Sequence, residues 1–130
     1  AAAGKATPFP IVTTGVPVGT QVRSSVRTSV PQARVDGLDS GLYEGCDFDG
    51  GPGAADDRPR DIRSVARSDL HGYDAVVCLA ALSNDPLGQL NPASTFSINL
   101  DGTLHLAEAA KAAAVPRFVA LLRGINVGKA

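Results

Sequence analysis

A chain of 130 residues accommodates one ordinary domain and is too short for two. Hydrophobic residues make up 44% of it, enough to bury a core, so the chain as a whole is not of the disordered class. Its 12 Lys and Arg against 13 Asp and Glu argue against a nucleic-acid or anionic-membrane binder, and 5% aromatics with no Trp argue against a stacking platform for single strands.

In chain order, residues 1–10 are rich in Ala, Gly and Pro and are expected to be disordered. Ile11 to Thr14 reads as a short strand, followed by Gly15-Val16-Pro17-Val18-Gly19. Val22, Val26 and Val30 then share a helical face that Pro31 terminates, but the intervening Ser and Thr make a poor helix. Ala33 to Asp39 reads as a strand ending in an acidic residue. Residues 49–60 contain only Gly, Pro, Ala and charged residues and predict a surface loop. Asp61-Ile62-Arg63 predicts a minimal strand, with Ser64 capping a short helix through Leu70.

The run Ala75 to Ala81 is apolar without alternation, as in a parallel strand covered on both faces. Asn91 as N-cap and Pro92 in the first turn open the longest helix. Its apolar stripe runs through Phe96, Leu100, Leu104, Ala107 and Lys111, and Val115-Pro116 ends it. Arg117 to Leu122 reads as another buried-type strand. Strands alternating with helices over short connections imply an open, doubly wound α/β sheet.

Cys46 and Cys78 lie 32 residues apart, with His71 and His105 as the only nitrogen ligands, so no zinc pairing of the C-x-x-C type exists and no metal is expected. Two cysteines suit a reduced, cytoplasmic setting. Neither a signal-peptide core nor an apolar run long enough to span a bilayer occurs in these residues. The absence of Met suggests a fragment, a processed chain or a conceptual translation.

Several motifs occur in a recognisable order. Gly37-Leu38-Asp39-Ser40-Gly41-Leu42-Tyr43-Glu44-Gly45-Cys46-Asp47-Phe48 is followed from Asp69 to Val119 by DLHGYDAVVCLAALSNDPLGQLNPASTFSINLDGTLHLAEAAKAAAVPRFV. Over about residues 35–119 the chain resembles the N-terminal part of NAD-dependent epimerase/dehydratases, the extended short-chain dehydrogenase/reductases that act largely on nucleotide sugars.

The resemblance implies a Rossmann-type sheet of about five parallel strands in the order 3-2-1-4-5, truncated after the fifth. It would occupy residues 11–122 as a partial NAD(P)-binding domain. Residues 123–130 form a tail of different character, since Phe118 to Gly128 is similar to the opening strand and turn of a small uncharacterised α/β family. In dinucleotide folds the first turn offers backbone N–H groups to the pyrophosphate. Here that turn holds only Gly15 and Gly19, with Pro17 removing a donor, where the family has G-x-x-G-x-x-G.

Asp39, 20 residues after Gly19, has the spacing of the acidic residue that accepts from the adenosine ribose hydroxyls, which favours NAD over NADP. A solvated strand-end Asp is the alternative. The resemblance implies that Asp61 and Ile62 contact the adenine, the alternative being an Asp61 ion pair with Arg58 or Arg63. It also implies that Leu79, Ala80 and Ala81 let backbone approach the nicotinamide ribose. Asn99 would organise the site through its backbone and a water, the alternative being a solvent-facing Asn. Cys78 stands where the family commonly has His, and Gly102-Thr103 permits close helix packing.

The family's catalysis uses Tyr-x-x-x-Lys, in which Lys lowers the Tyr pKa so that the phenolate accepts the substrate proton. Asp47 follows Tyr43, and Val77 follows Tyr73, at that spacing, so no catalytic residue is assigned. The expected function is therefore the NAD-binding portion of such an oxidoreductase, incompetent in catalysis as this chain. A nucleotide sugar would be substrate only in a full-length relative. The alternatives are a non-catalytic dinucleotide-sensing or interaction module, or a truncated or frameshifted product without function.

Overall fold

A computed structural model describes residues 9–14, 25, 28–41, 57–82 and 85–121. Five strands, β1 (Phe9–Thr14), β2 (Ala33–Asp39), β3 (Asp57–Pro59), β4 (Ala75–Cys78) and β5 (Arg117–Ala120), form one sheet in the order β3-β2-β1-β4-β5. Every pairing is parallel. The chain is thus an α/β Rossmann-type sheet with the strand order expected from the sequence. Residues 1–8, Gly15, Gly19, Val22, Val26, Cys46, the loop over 49–56 and the tail over 123–130 lie outside the described residues. Ser25, Thr28 and Ser29 are helical.

Register places Arg34, Asp36 and Leu38 of β2 beside Pro10, Val12 and Thr14 of β1, and Val12 beside Val76 of β4. This face carries the main core, in which Val12, Leu38, Val76 and Cys78 pack with Ile62, Val65, Leu70, Leu106, Ala109 and Ala110. Ile11, Ala33, Val35 and Ala75 form a smaller cluster.

The segment after β2 differs from its sequence reading. The strand is Asp57–Pro59, inside the expected loop, where it pairs with Gly37–Asp39. Asp61 and Ile62 instead enter a 3₁₀ turn over Ile62–Ser64, because the Asp61 carboxylate accepts from the Arg63 N–H and caps it. Pro59 is tolerated because β3 lies at the sheet edge. Ser64 is not a helix cap, since its hydroxyl donates to the Asp61 carbonyl. Helix α1 is Arg67–Leu70, and its entry is held by the Asp69 carboxylate accepting from the Ala66 N–H at 2.8 Å.

After β4 come α2 (Asp85–Leu90), α3 (Pro92–Phe96), a π-helical segment over Ser97–Gly102, and α4 (Thr103–Ala112). Asn91 caps α3 by accepting from Ser94 N–H, with Pro92 in the first turn, as the sequence predicts. The expected apolar stripe, however, is on the wrong side. Phe96, Leu100 and Leu104 are 50%, 50% and 55% exposed, while Thr95, Asn99, Gly102, Leu106, Ala109 and Ala110 are buried. Both sets repeat at three to four residues. Close approach to the 3₁₀ turn selects the face that carries Gly102: a Cβ there would lie 2.7 Å from Ile62 Cδ1.

The strand expected from Arg117 ends at Ala120, and it is less buried than its composition suggests, with Val119 46% exposed and Leu121, just past it, 57% exposed, because β5 is the last strand of the described sheet. Between α4 and β5, Ala114 adopts φ 57° while Val115 N–H donates to the Ala110 carbonyl at 3.0 Å, a Schellman-type termination. An alanine there carries the left-handed penalty that glycine avoids. Ala114→Gly is expected to stabilise the fold by about 1 kcal/mol, seen as a higher urea midpoint.

Candidate functional site

In open parallel sheets, ligands bind beyond the carboxyl ends of the strands, where the strand order reverses. Here that point lies between β1 and β4. Their ladder reaches Thr13–Val77, and the next contacts pass to a side chain. The buried Thr14 hydroxyl accepts from the N–H groups of Leu79 (3.0 Å) and Ala80 (3.2 Å). β4 therefore ends at Cys78, and Leu79-Ala80-Ala81 is a loop segment at the mouth of the crevice rather than strand.

The far end of this segment is held from the helix layer. Asn99 accepts from Leu82 N–H through Oδ1 at 2.8 Å and donates Nδ2–H to the Leu82 carbonyl at 2.9 Å, two bonds that reproduce a backbone pairing. Asn99 is buried, so the solvent-facing alternative does not hold, and it engages the loop through its side-chain amide. The π-helical segment places it there, and the Thr103 hydroxyl donates to the Asn99 carbonyl at 2.8 Å. Residues 79–82 are thus fastened to β1 at one end and to the helix at the other. The sequence reading missed Thr14; its signal was a hydroxyl residue closing the first strand immediately before Gly15.

Asp39 lies half-buried at the end of β2, and its Oδ1 accepts from Gly41 N–H at 2.7 Å. Gly41 has φ 71°, a left-handed conformation that glycine adopts without the Cβ penalty. The Asp39 carbonyl accepts from Arg60 N–H at 2.7 Å, which brings the residue after β3 alongside.

Asp61 pairs with Arg63 at 2.6 Å, and that guanidinium holds its carboxyl below the usual carboxylate range. A depressed pKa in the folded chain contributes stability above the ordinary carboxylate range that is lost as the pH falls through the depressed value. The pair is part-exposed, so the contribution is well under about 1 kcal/mol. Ile62 turns its side chain into the core beneath Gly102. The structure therefore brings Asp39, Asp61, Leu79, Ala80 and Ala81 to the carboxyl end of the sheet, whereas the Ile62 side chain is committed to packing. Gly15 and Gly19 lie outside the described residues.

Tyr73 lies at the other end of the sheet, two residues before β4, where its hydroxyl donates to Asp36. Cys78 is buried, with Sγ 3.9 Å from the Thr103 hydroxyl. Among the described residues, no group of three His, Cys, Asp or Glu is placed to hold a metal, and no helix is long and apolar enough to cross a membrane.

Asp39 thus presents a carboxylate held by a backbone N–H, and residues 79–82 present main chain fixed at both ends, at the same edge of the sheet.

No curated protein sequence matches the chain. Solved structures do match. A short-chain dehydrogenase/reductase superfamily protein from Agrobacterium tumefaciens with bound NAD is 28% identical, with a TM-score of 0.62 over 85% of this chain and 31% of that one. A dTDP-glucose 4,6-dehydratase from Streptomyces venezuelae with NAD bound is 27% identical, with a TM-score of 0.65 over 84% and 38%. An NAD-dependent NDP-hexosamine 5,6-dehydratase of tunicamycin biosynthesis is 21% identical, with a TM-score of 0.71 over 86% and 36%. The chain spans about a third of the length of these structures. The NAD dependent epimerase/dehydratase family model matches residues 57–122, half of the chain and the part that contains β3 to β5, the Leu79–Leu82 segment and Asn99, so the chain belongs to that family.

Proposed function

We propose that this chain is the dinucleotide-binding portion of a nucleotide-sugar epimerase or dehydratase and that it binds NAD without turning over a sugar by itself. The observation that carries this reading is the Leu79–Leu82 segment, fastened by Thr14 and Asn99 at the point where the strand order reverses. Ordering such a segment before the ligand arrives removes a cost from binding. Asp39 would accept from the adenosine ribose hydroxyls, and its charge favours NAD over a 2′-phosphorylated dinucleotide. Asp61 would take the adenine amino group in exchange for part of its pairing with Arg63, the main-chain turn at Ile62 would border the ring, and Gly15 and Gly19 would flank the pyrophosphate.

NAD supplies a hydride acceptor when bound; this chain's residues bind and orient it. The sequence contains no Tyr-x-x-x-Lys to move the sugar's hydroxyl proton, which favours binding without turnover, whether in a sensing module or in one part of a longer oxidoreductase. A nucleotide sugar is the substrate class of the whole protein in this reading. The setting is cytoplasmic, in keeping with two cysteines in 130 residues.

The test is an amide NMR titration of the purified chain with NAD. Saturable shifts at Asp39, Gly41 and Leu79–Leu82, with little change at Tyr73 and Arg34, are the expected result. Asn99→Ala is expected to weaken NAD by about thirtyfold, because each of its two bonds to Leu82 contributes on the order of 1 kcal/mol to the ordered loop. A spectrum indifferent to NAD overturns the proposal.

A further inference from the structure

We propose that Arg63 is a positioning residue of the dinucleotide site, which fixes the Asp61 carboxylate in the orientation that selects an amino group on the ligand's base. This rests on the reading of Asp61 as the residue that takes the adenine amino group. Asp61 follows β3 by two residues and caps the 3₁₀ turn, accepting at Oδ1 from the Arg63 N–H at 2.8 Å. The Arg63 side chain then returns to the same carboxylate. Its Nε donates to Oδ1 at 3.0 Å and to Oδ2 at 3.2 Å, and its Nη2 donates to Oδ2 at 2.6 Å.

Both ends of this clamp are anchored. The Arg63 backbone belongs to the turn, and its Nη1 donates to the Ser97 hydroxyl at 3.3 Å, at the start of the π-helical segment that carries Asn99. A part-exposed ion pair contributes little to stability. Its effect is on geometry, because a planar fork holds both carboxylate oxygens in one plane, whereas the backbone cap alone holds Oδ1.

An ionised carboxylate has room for about four hydrogen bonds, and all of them accept. The Nε contact of 3.2 Å to Oδ2 shares its proton with Oδ1. Giving up that contact opens Oδ2 to a donor and leaves the shorter bonds to Arg63 in place. The guanidinium also keeps Asp61 ionised. The clamped group therefore favours a base with an amino group and disfavours one with a carbonyl oxygen in its place.

Isothermal titration of the chain with NAD and with nicotinamide hypoxanthine dinucleotide, in which a carbonyl oxygen replaces the adenine amino group, tests this. The unaltered chain is expected to prefer NAD by about thirtyfold, as for one hydrogen bond to a charged group. Arg63→Gln leaves the N–H cap in place and is expected to cut that preference by about tenfold, by weakening NAD and sparing the hypoxanthine dinucleotide. Arg63→Lys, which keeps the charge without the fork, should recover only part of it. Asp61→Asn is expected to abolish the preference, and adding Arg63→Gln should then weaken NAD no further, because Arg63 acts through Asp61. Equal losses for both dinucleotides in Arg63→Gln, an unchanged preference, full recovery in Arg63→Lys or a further loss of NAD in the double variant overturns the role of Arg63. An unaltered chain that binds both dinucleotides equally overturns the reading of Asp61 as well, and one that binds neither overturns the proposed function itself.

Discussion

Gly102→Val is expected to destabilise the chain by about 3 kcal/mol, read as a lower urea midpoint with unchanged slope. A Cβ at this position would meet Ile62 Cδ1 at 2.7 Å, Ile62 Cγ1 at 2.9 Å and Arg63 Cγ at 3.3 Å. The first is a terminal methyl that can rotate away, but Cγ1 belongs to a side chain only 5% exposed and packed in the main core. Gly102→Ala is expected to lose less, because alanine regains about 1 kcal/mol of helix propensity and presents one carbon rather than three. In the alanine background, Ile62→Val removes the nearest atom and should restore part of the loss, although alone it costs about 1 kcal/mol. The consequence for function follows from Asn99, three residues earlier: a helix pushed off the 3₁₀ turn draws the Asn99 amide away from Leu82. Wild-type stability in Gly102→Val would show that the helix does not lie against Ile62 in solution.

The second large effect is expected at the opposite end of the sheet. Asp36 sits on β2 with its side chain 7% exposed, accepting from the Tyr73 hydroxyl and from Arg34 Nε (3.1 Å) and Nη2 (2.6 Å). Val12 of β1 lies between Asp36 and Val76, so the Tyr73–Asp36 bond crosses β1 and ties β2 to the entry of β4. The Asp36 carboxylate raises the Arg34 pKa above its ordinary value, through their hydrogen bonds first and charge attraction second.

Asp36→Ala is expected to cost about 2 kcal/mol, because it withdraws a charged acceptor from a half-buried phenol while Arg34 returns to water at little expense. Tyr73→Phe should cost about 1 kcal/mol. The double variant should cost less than the sum of the two, and strict additivity in this cycle would mean that the phenol and the carboxylate do not interact. Neither change is expected to alter NAD affinity beyond what lost stability explains, since both residues lie away from the strand ends that carry the site.

Much of the architecture was legible because it rests on local signals. The uninterrupted apolar run from Ala75 identified β4, although its end at Cys78 did not show in composition: Leu79 and Ala80 are as apolar as what precedes them, and only the Thr14 hydroxyl beyond the ladder reveals that they have left the sheet. Asn91-Pro92 marked the helix start because capping involves only neighbours in sequence. β3 was hidden because an edge strand of three residues, Asp57-Arg58-Pro59, has no apolar pattern and is defined by its pairing with β2.

At the candidate site, the position of Asp39 at the end of β2 was legible from the sequence, whereas the buried pairing of Asn99 with Leu82 and of Thr14 with Leu79 and Ala80 was not. A threonine in a β-branched strand looks like any other until the partner that needs its oxygen is in place. Asp61 and Ile62 were legible as a motif but not as a local structure. The Asp61 carboxylate serves both as a cap and as an ion-pair partner of Arg63, and this choice over pairing in the sheet depends on where β3 ends.

By itself, then, the sequence determined the succession of elements, the strand order through its family motifs, and the residues that reach the carboxyl end of the sheet. These follow from periodicity, capping and spacing, which act over a few residues or are carried by motif order. The tertiary structure alone decided which face of the long helix is buried. Phe96, Leu100 and Leu104 offer more apolar area, yet Asn99, Gly102 and Leu106 face inward, because the helix meets Ile62 where only a glycine fits, the Leu79–Leu82 segment takes the Asn99 amide, and Leu106 fills the main core. Hydrophobicity ranks residues one at a time, whereas packing is settled by the space between two elements, and that space exists only once both have come together.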